Sequence, residues 1–269
     1  MTLTSAVRSL GKSGAASLRD LLFPPVCTVC RSETSEPGSL CANCWRELAF
    51  LSGTGCRYCG RPIAAIGTDP DELVCDSCHH LQPVWHYGRA VFRYNGTGRK
   101  LILGLKHADR LDRVPMLATW ALRQAGDLLD DEAVLIPVPL HWTRRLKRRS
   151  NQSAELARAL ASRSPVLRYA PEALVRHRKT GSQDGRNRNG RIANVAGAFS
   201  PGRTAAKLRG TRAIVVDDVM TTGATLNAVA QACLDLGASR VDVIVLALVI
   251  RDGTDYMAPS MEDETYEAS

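Results

Sequence analysis

The sequence predicts an α/β fold: a mostly parallel sheet flanked by helices, carried behind a cysteine-rich N-terminal module. Three observations lead there. Strand-like and helix-like segments alternate after residue 90, which is the order that builds a parallel sheet with crossover helices. Eight of the nine cysteines fall in CxxC pairs before residue 79. A continuous apolar, mostly β-branched run, Ala213 to Val216, has the composition of a central strand covered on both faces. At 269 residues the chain has room for one large domain, or for one ordinary domain and a small appendage. With 45% hydrophobic and 23% charged residues, a mostly disordered chain is excluded. The longest apolar run, Val241 to Ile250, is too short to cross a bilayer and holds Asp242, so no membrane insertion is expected.

Taken in order, residues 1–22 read as an N-terminal amphipathic helix, centred on Ala6 to Leu22. The first nineteen residues carry Arg8, Lys12 and Arg19 and no acid, letters that an organellar presequence would share, but no secretory h-region is present. Residues 23–85 form the cysteine module and residues 86–250 the α/β domain. Within the latter, Val91 to Tyr94 reads as a strand, Asn95-Gly96 as a turn, and a helix starts near Arg99. Met116 to Leu129 has helical periodicity, Ala133 to Val138 is a strand stopped by Pro137 and Pro139, and Asn151 to Ser162 is a helix. A helix from Thr225 to Leu236 and a buried strand from Val241 to Val249 complete the sheet. Residues 251–269 hold six acids and little apolar content, the composition of a disordered acidic tail.

The pairs Cys27/Cys30, Cys41/Cys44, Cys56/Cys59 and Cys75/Cys78 have the spacing with which two tight turns complete a tetrahedral sulfur site. Two structural zinc ions are expected, the first four thiolates on one and the last four on the other, although interleaved grouping is open at this level. Gly60, directly after Cys59, suits the left-handed turn of such a knuckle. His79 and His80 adjoin Cys78 but read as surface residues beside eight thiolates, and Cys233 as a buried small hydrophobe within a helix. A disulfide framework is disfavoured, because nothing places the chain in an oxidising compartment and a cytoplasmic location is expected.

Charge is distributed unevenly. Residues 141–212 carry 18 Lys and Arg against three acids, a local +15, while the rest of the chain is net −7. Such a block suits a polyanionic partner, either nucleic acid or a phosphorylated small molecule, against the plainer reading of a solvated basic face.

The residues that carry chemistry lie at Ile214 to Thr225, which reads IVVDDVMTTGAT. A buried strand delivers Asp217 and Asp218 at its C-terminal end, where open α/β sheets bind ligands. Thr221, Thr222, Gly223, Ala224 and Thr225 then open a helix, and loop amides, hydroxyls and the helix dipole together suit an anion. Gly223 is expected to let the backbone approach a phosphate closely. Adjacent carboxylates that point apart are better placed to bind vicinal hydroxyls or a metal-bound sugar than to share a proton. Neither a Walker A lysine nor a dinucleotide glycine fingerprint is present.

This segment resembles the phosphoribosyl pyrophosphate (PRPP) motif of the type I phosphoribosyltransferases. Together with the cysteine module, Ile136-Pro137-Val138-Pro139-Leu140 and Asn151-Gln152, the chain from about residue 20 to 250 resembles the ComF competence-protein family. The resemblance implies a type I phosphoribosyltransferase-like domain behind a double zinc ribbon. It implies that Asp217 and Asp218 are catalytic and bind the ribose hydroxyls, and that Thr221 to Thr225 hold the 5′-phosphate. Lys106, Arg144, Arg145 and Arg176 fit the family's ligand-binding positions, with Thr180, Gln183, Arg191 and Asn194 in a hood over the site. The family often has Arg-Gly-Phe-Asn-Gln where this chain has Arg148-Arg149-Ser150-Asn151-Gln152, an exchange that removes a glycine and a phenylalanine and adds positive charge.

The activity so implied is a phosphoribosyltransferase, a glycosyltransferase displacing pyrophosphate from PRPP with magnesium. The associated role is DNA uptake in natural transformation, with single-stranded DNA and competence-machinery proteins as partners. Two other readings stay open: a cytoplasmic phosphoribosyltransferase of nucleotide or amine metabolism or salvage, and a non-catalytic PRPP-sensing regulator that binds nucleic acid.

Overall fold

The computed structural model describes residues 24–64, 69–107, 110–140, 150–177 and 197–250. The helix expected over 1–22, the tail from residue 251, Arg144 and Arg145, and the hood residues Thr180, Gln183, Arg191 and Asn194 lie outside the described residues.

Five strands make the central sheet: β1 (Gly88–Arg93), β2 (Ala133–Pro137), β3 (Leu167–Tyr169), β6 (Arg212–Met220) and β7 (Arg240–Leu248). Their spatial order is β1-β7-β6-β2-β3, and every neighbouring pair is parallel. Two short strands, β4 (Leu174–Arg176) and β5 (Phe199–Pro201), form a separate antiparallel ribbon. Parallel neighbours need crossovers, and helices supply them. Between β1 and β2 run α3 (Gly96–His107), α4 (Val114–Gln124) and α5 (Gly126–Leu129); α6 (Gln152–Ala161) joins β2 to β3, and α7 (Ala224–Asp235) joins β6 to β7.

The core divides into two layers because side chains alternate along a strand. Ala213 and Val215 of β6 face Leu226, Val229, Ala230 and Cys233, the apolar stripe of α7. Ile214 and Val216 face the opposite layer, with Leu156, Ala157 and Leu160 of α6. All four β6 residues are fully buried, and the larger three, Ile214, Val215 and Val216, each contribute about 1.5–3 kcal/mol when removed from water. From β2 the chain crosses to β3 on one side, while from β6 it crosses to β7 on the other. The sheet therefore reverses its winding between β2 and β6, and a ligand crevice opens at such a point.

Several boundaries differ from the sequence reading. The β6 strand continues beyond Val216 to Met220, because β7 keeps pairing with it as far as Leu248. The α3 helix starts at Gly96, so the Asn-Gly pair opens the helix instead of forming a free turn. The expected helix from Met116 is broken at Ala125, whose backbone leaves helical geometry at φ −124 and ψ 25. Asp242, the odd polar residue of the apolar run, is fully buried at the sheet's N-terminal edge. There it pairs with Arg212 at 2.7 Å and Arg240 at 3.0 Å and accepts the Tyr87 amide.

The cysteine module is built from knuckles closed by the bridges Val26↔Glu33 and Gly55↔Pro62. Two short helices, α1 (Ala42–Arg46) and α2 (Asp76–Leu81), each begin directly after a cysteine. The second half of the module shares a core with the sheet: Cys56, Cys59, Cys75 and Cys78 cluster with Trp85, Met220 and Leu248. The first half is tied down by Arg113, buried at 5% exposure, which donates to the Thr28 carbonyl and to the carbonyls of Lys100 and Leu101 on α3.

Candidate functional site

The β2 strand stops at Pro137, opposite Val216, and its last support to β6 is the Val138 amide donating to the Val216 carbonyl at 3.0 Å. From Asp217 onward β6 is paired with β7 alone among the named strands, so its other edge faces the crevice. The two aspartates thus sit inside the strand, at the point where the sheet opens.

They turn to different partners. Asp217 Oδ1 accepts the Ser153 hydroxyl at 2.8 Å and the Asp218 amide at 2.9 Å. Asp218 pairs with Lys106 Nζ at 3.3 Å, from the last turn of α3. Ser153 is placed by the cap of α6, where Asn151 accepts the Ser153 amide through its side chain and donates to the Val138 carbonyl. Gln152, nearly buried, donates to the Leu105 carbonyl and locks α6 to α3. Sequence reasoning placed Lys106 near the site and missed Ser153. Its only local signal is a position two residues after an N-capping Asn, a cap bond that recurs in many helices with no site.

Asp217 keeps intermediate surface exposure at the edge of the packed layers. Loss of solvent, with the Asp218 charge adding to it, pushes its pKa from 3.8 up to about 7, against the opposing effects of Ser153, the Asp218 amide and Lys106. The protonated form is favoured in the folded chain, so ionising Asp217 costs stability. That cost develops as pH rises from the ordinary carboxylate range through about 7 and is fully present above it.

Beyond Met220 the chain forms Thr221, Thr222 and Gly223 and enters α7. Gly223 caps the helix in left-handed geometry at φ 77, with no capping side chain and no acid in the first turn. The amides at the start of α7 and the helix dipole therefore present an anion-attracting end. The Ala224 amide reaches Thr222 Oγ1 at 3.5 Å, a long contact. A Cβ on Gly223 would lie 2.6 Å from Leu81, 2.9 Å from Met220 and 3.3 Å from Trp85. The space left by the missing side chain is filled by Leu81 and Trp85 of the cysteine module and by Met220, so a side chain here would clash with that packing. Arg176 lies on the β4–β5 ribbon with its guanidinium 5.6 Å from the Phe199 ring.

The eight paired cysteines gather into two clusters, Cys27, Cys30, Cys41, Cys44 and Cys56, Cys59, Cys75, Cys78, with the sulfurs of each within 4.8 Å of one another. Sulfur separations of 3.5 Å for Cys30–Cys41 and 3.7 Å for Cys59–Cys75 match the edge of about 3.8 Å that a tetrahedron with 2.3 Å zinc–sulfur bonds requires. The sequential grouping expected from spacing holds, and each cage fits a structural zinc ion. His79 and His80 are exposed and belong to neither cage. Burial pushes the Cys233 thiol up to about 12, as suits an inert core residue.

Two outcomes follow from this geometry. Asp217→Asn keeps an oxygen for both hydrogen bonds and removes the ionisation cost. The variant should melt higher above pH 7, by roughly 5 °C or more, and the gap should narrow progressively toward pH 4 in scanning calorimetry. Cys27→Ser should retain one zinc ion in place of two by elemental analysis and melt at lower temperature, since structural zinc supplies folding energy.

Comparison with known proteins agrees with both halves. Residues 18–79 match the double zinc ribbon domain profile, and residues 137–267 match the phosphoribosyl transferase domain profile. The chain is 31% identical over 231 residues to the DNA utilization protein YhgH of Escherichia coli O6:H1, covering 83% of this chain and 96% of the relative. Competence protein F of Haemophilus influenzae is 28% identical, covering 82% and 96%. Competence protein ComFC of Bacillus subtilis is 24% identical, covering 79% and 90%. No helix among the described residues is long and apolar enough to cross a membrane. With its paired zinc cages, its parallel sheet and a relative matched almost end to end, the chain belongs to the ComF/YhgH family of double-zinc-ribbon, phosphoribosyltransferase-like proteins.

Proposed function

We propose that the chain binds PRPP with magnesium in the crevice between β2 and β6 and acts on the cytoplasmic side in DNA uptake. The observation that carries this reading is the placement of two carboxylates on β6, one held by Ser153 and the other by Lys106, immediately before the loop that opens α7. Asp217 and Asp218 accept the ribose hydroxyls, while the loop amides and the hydroxyls of Thr221, Thr222 and Thr225 take the 5′-phosphate. Lys106 is released from Asp218 as the sugar binds and turns to the diphosphate, with Arg144, Arg145 and Arg176 adding positive charge. The carboxylates of Asp217 and Asp218 are hard oxygen donors that suit magnesium, which would offset the charge of the diphosphate when bound with it.

Turnover would break the bond from the anomeric carbon to pyrophosphate through an oxocarbenium-like state, with the basic groups stabilising the leaving group. The names of the relatives, DNA utilization and competence, support the DNA role. So does the excess of +15 over residues 141–212, because basic surfaces follow a phosphate backbone and release its counterions. Single-stranded DNA and other competence proteins are its partners in this reading, and the thiolate cages suit a reducing compartment.

The test is calorimetric titration of PRPP into the zinc-loaded protein, with and without magnesium. Binding near one per chain that requires magnesium and strengthens as pH rises through about 7, where Asp217 becomes the better acceptor, is expected. Asp217→Asn with Asp218→Asn should abolish it while both zinc ions and the fold remain. Unchanged affinity in the double variant removes the site assignment.

A further inference from the structure

The zinc ribbon touches the loop that the proposed function assigns to the phosphate. Leu81 ends α2, and the space where a Gly223 side chain would stand is occupied by Leu81, Trp85 and Met220. Trp85 is 1% exposed, and its indole donates to the Tyr58 carbonyl at 2.8 Å, inside the Cys56–Cys59 knuckle. The Val84 amide donates to Asn227 Oδ1 at 2.9 Å, and the Asn227 amide in turn bonds the Gly223 carbonyl at 2.8 Å. The short segment from Leu81 to Trp85 thus grips both the cap and the first turn of α7. A small cavity at this junction is lined from both sides, by Cys59, Ser77 and Cys78 of the ribbon and by Thr221 and Thr222 of the loop.

The gripping segment has little order of its own. The α2 helix is six residues long, is capped by Cys75 and carries Cys78, and its C-cap Gln82 is in left-handed geometry at φ 49. A helix this short is not stable in isolation. Ligation of Cys75 and Cys78 fixes it, and Leu81, three residues after Cys78, projects from the same face. We infer that the second cysteine cage, through Leu81 and Val84, holds the Thr221–Thr225 loop in its ligand-ready shape, so that a folded ribbon sets the loop's affinity for an anion. Leu81 is in this respect a positioning residue. Its effect on affinity rests on the phosphoribosyl reading above, and its effect on loop order does not.

Hydrogen exchange on the zinc-loaded full chain separates the two. Leu81→Ala should keep both zinc ions, while the amides of residues 221–227 exchange about tenfold faster, as expected when a local packing contact is lost. Magnesium–PRPP affinity should fall about tenfold in the same variant, and Leu81→Met, which refills the contact, should restore both. Asn227→Ala leaves every cysteine and Leu81 in place, and should loosen the same amides by removing the Val84 bond. Unchanged exchange in Leu81→Ala and Asn227→Ala overturns the coupling. Faster exchange with full PRPP affinity overturns its bearing on the ligand. A protected loop in the unmodified chain that takes up no PRPP overturns the phosphoribosyl reading and leaves the ribbon-to-loop coupling standing.

Discussion

Two adjacent carboxylates on a strand buried from both faces are the constraint around which this molecule is arranged. Ala213 to Val216 are sealed between α6 and α7, and the chain then places Asp217 and Asp218 where β2 has already ended. Neighbouring residues on a strand point apart, so each acid requires its own partner. Ser153 answers one and Lys106 the other. The compensation is incomplete, and Asp217 is held with its pKa near 7. A carboxylate kept partly protonated in this way weakens the fold and gains from a ligand that offers hydroxyl donors, a trade that recurs at binding sites.

The ribbons contribute to the same arrangement from both sides. Arg113 joins the Thr28 carbonyl of the first cage to α3, the helix that carries Lys106. Leu81 and Trp85 join the second cage to the cap of α7. Each cage is thus one helix away from one side of the acid pair. A module read from its cysteines as an appendage is in this fold a support for the crevice. The shared core of Cys56, Cys59, Cys75 and Cys78 with Met220 and Leu248 gives the physical reason.

What was legible in the sequence is what local chemistry decides. Two-residue cysteine spacing fixes which thiols can share an ion, and both cages formed as expected. Asn151 announced its helix because a capping side chain acts within two residues. The β-branched run before Asp217 announced a central strand. What could not be read depends on contacts remote in sequence. Ser153 meets Asp217 across 64 positions, and nothing in its neighbourhood marks it. The strand's extension to Met220 depends on β7, and the short strands β3, β4 and β5 owe their pairing to neighbours rather than to their own three-residue patterns. The packing of Leu81 and Trp85 against Gly223 was equally hidden, because the letter G states that space is needed and not what fills it.

The most direct measurement is a carbon-13 titration of the Asp217 carboxyl in the zinc-loaded protein, assigned by its loss in Asp217→Asn. An ionisation near pH 7 is expected for the free protein, moving toward the ordinary carboxylate range when magnesium–PRPP binds and stabilises the charged form. An ionisation near 4 that ignores the ligand would mean that Asp217 is neither desolvated nor part of a binding site, and would contradict the organisation of the crevice described above.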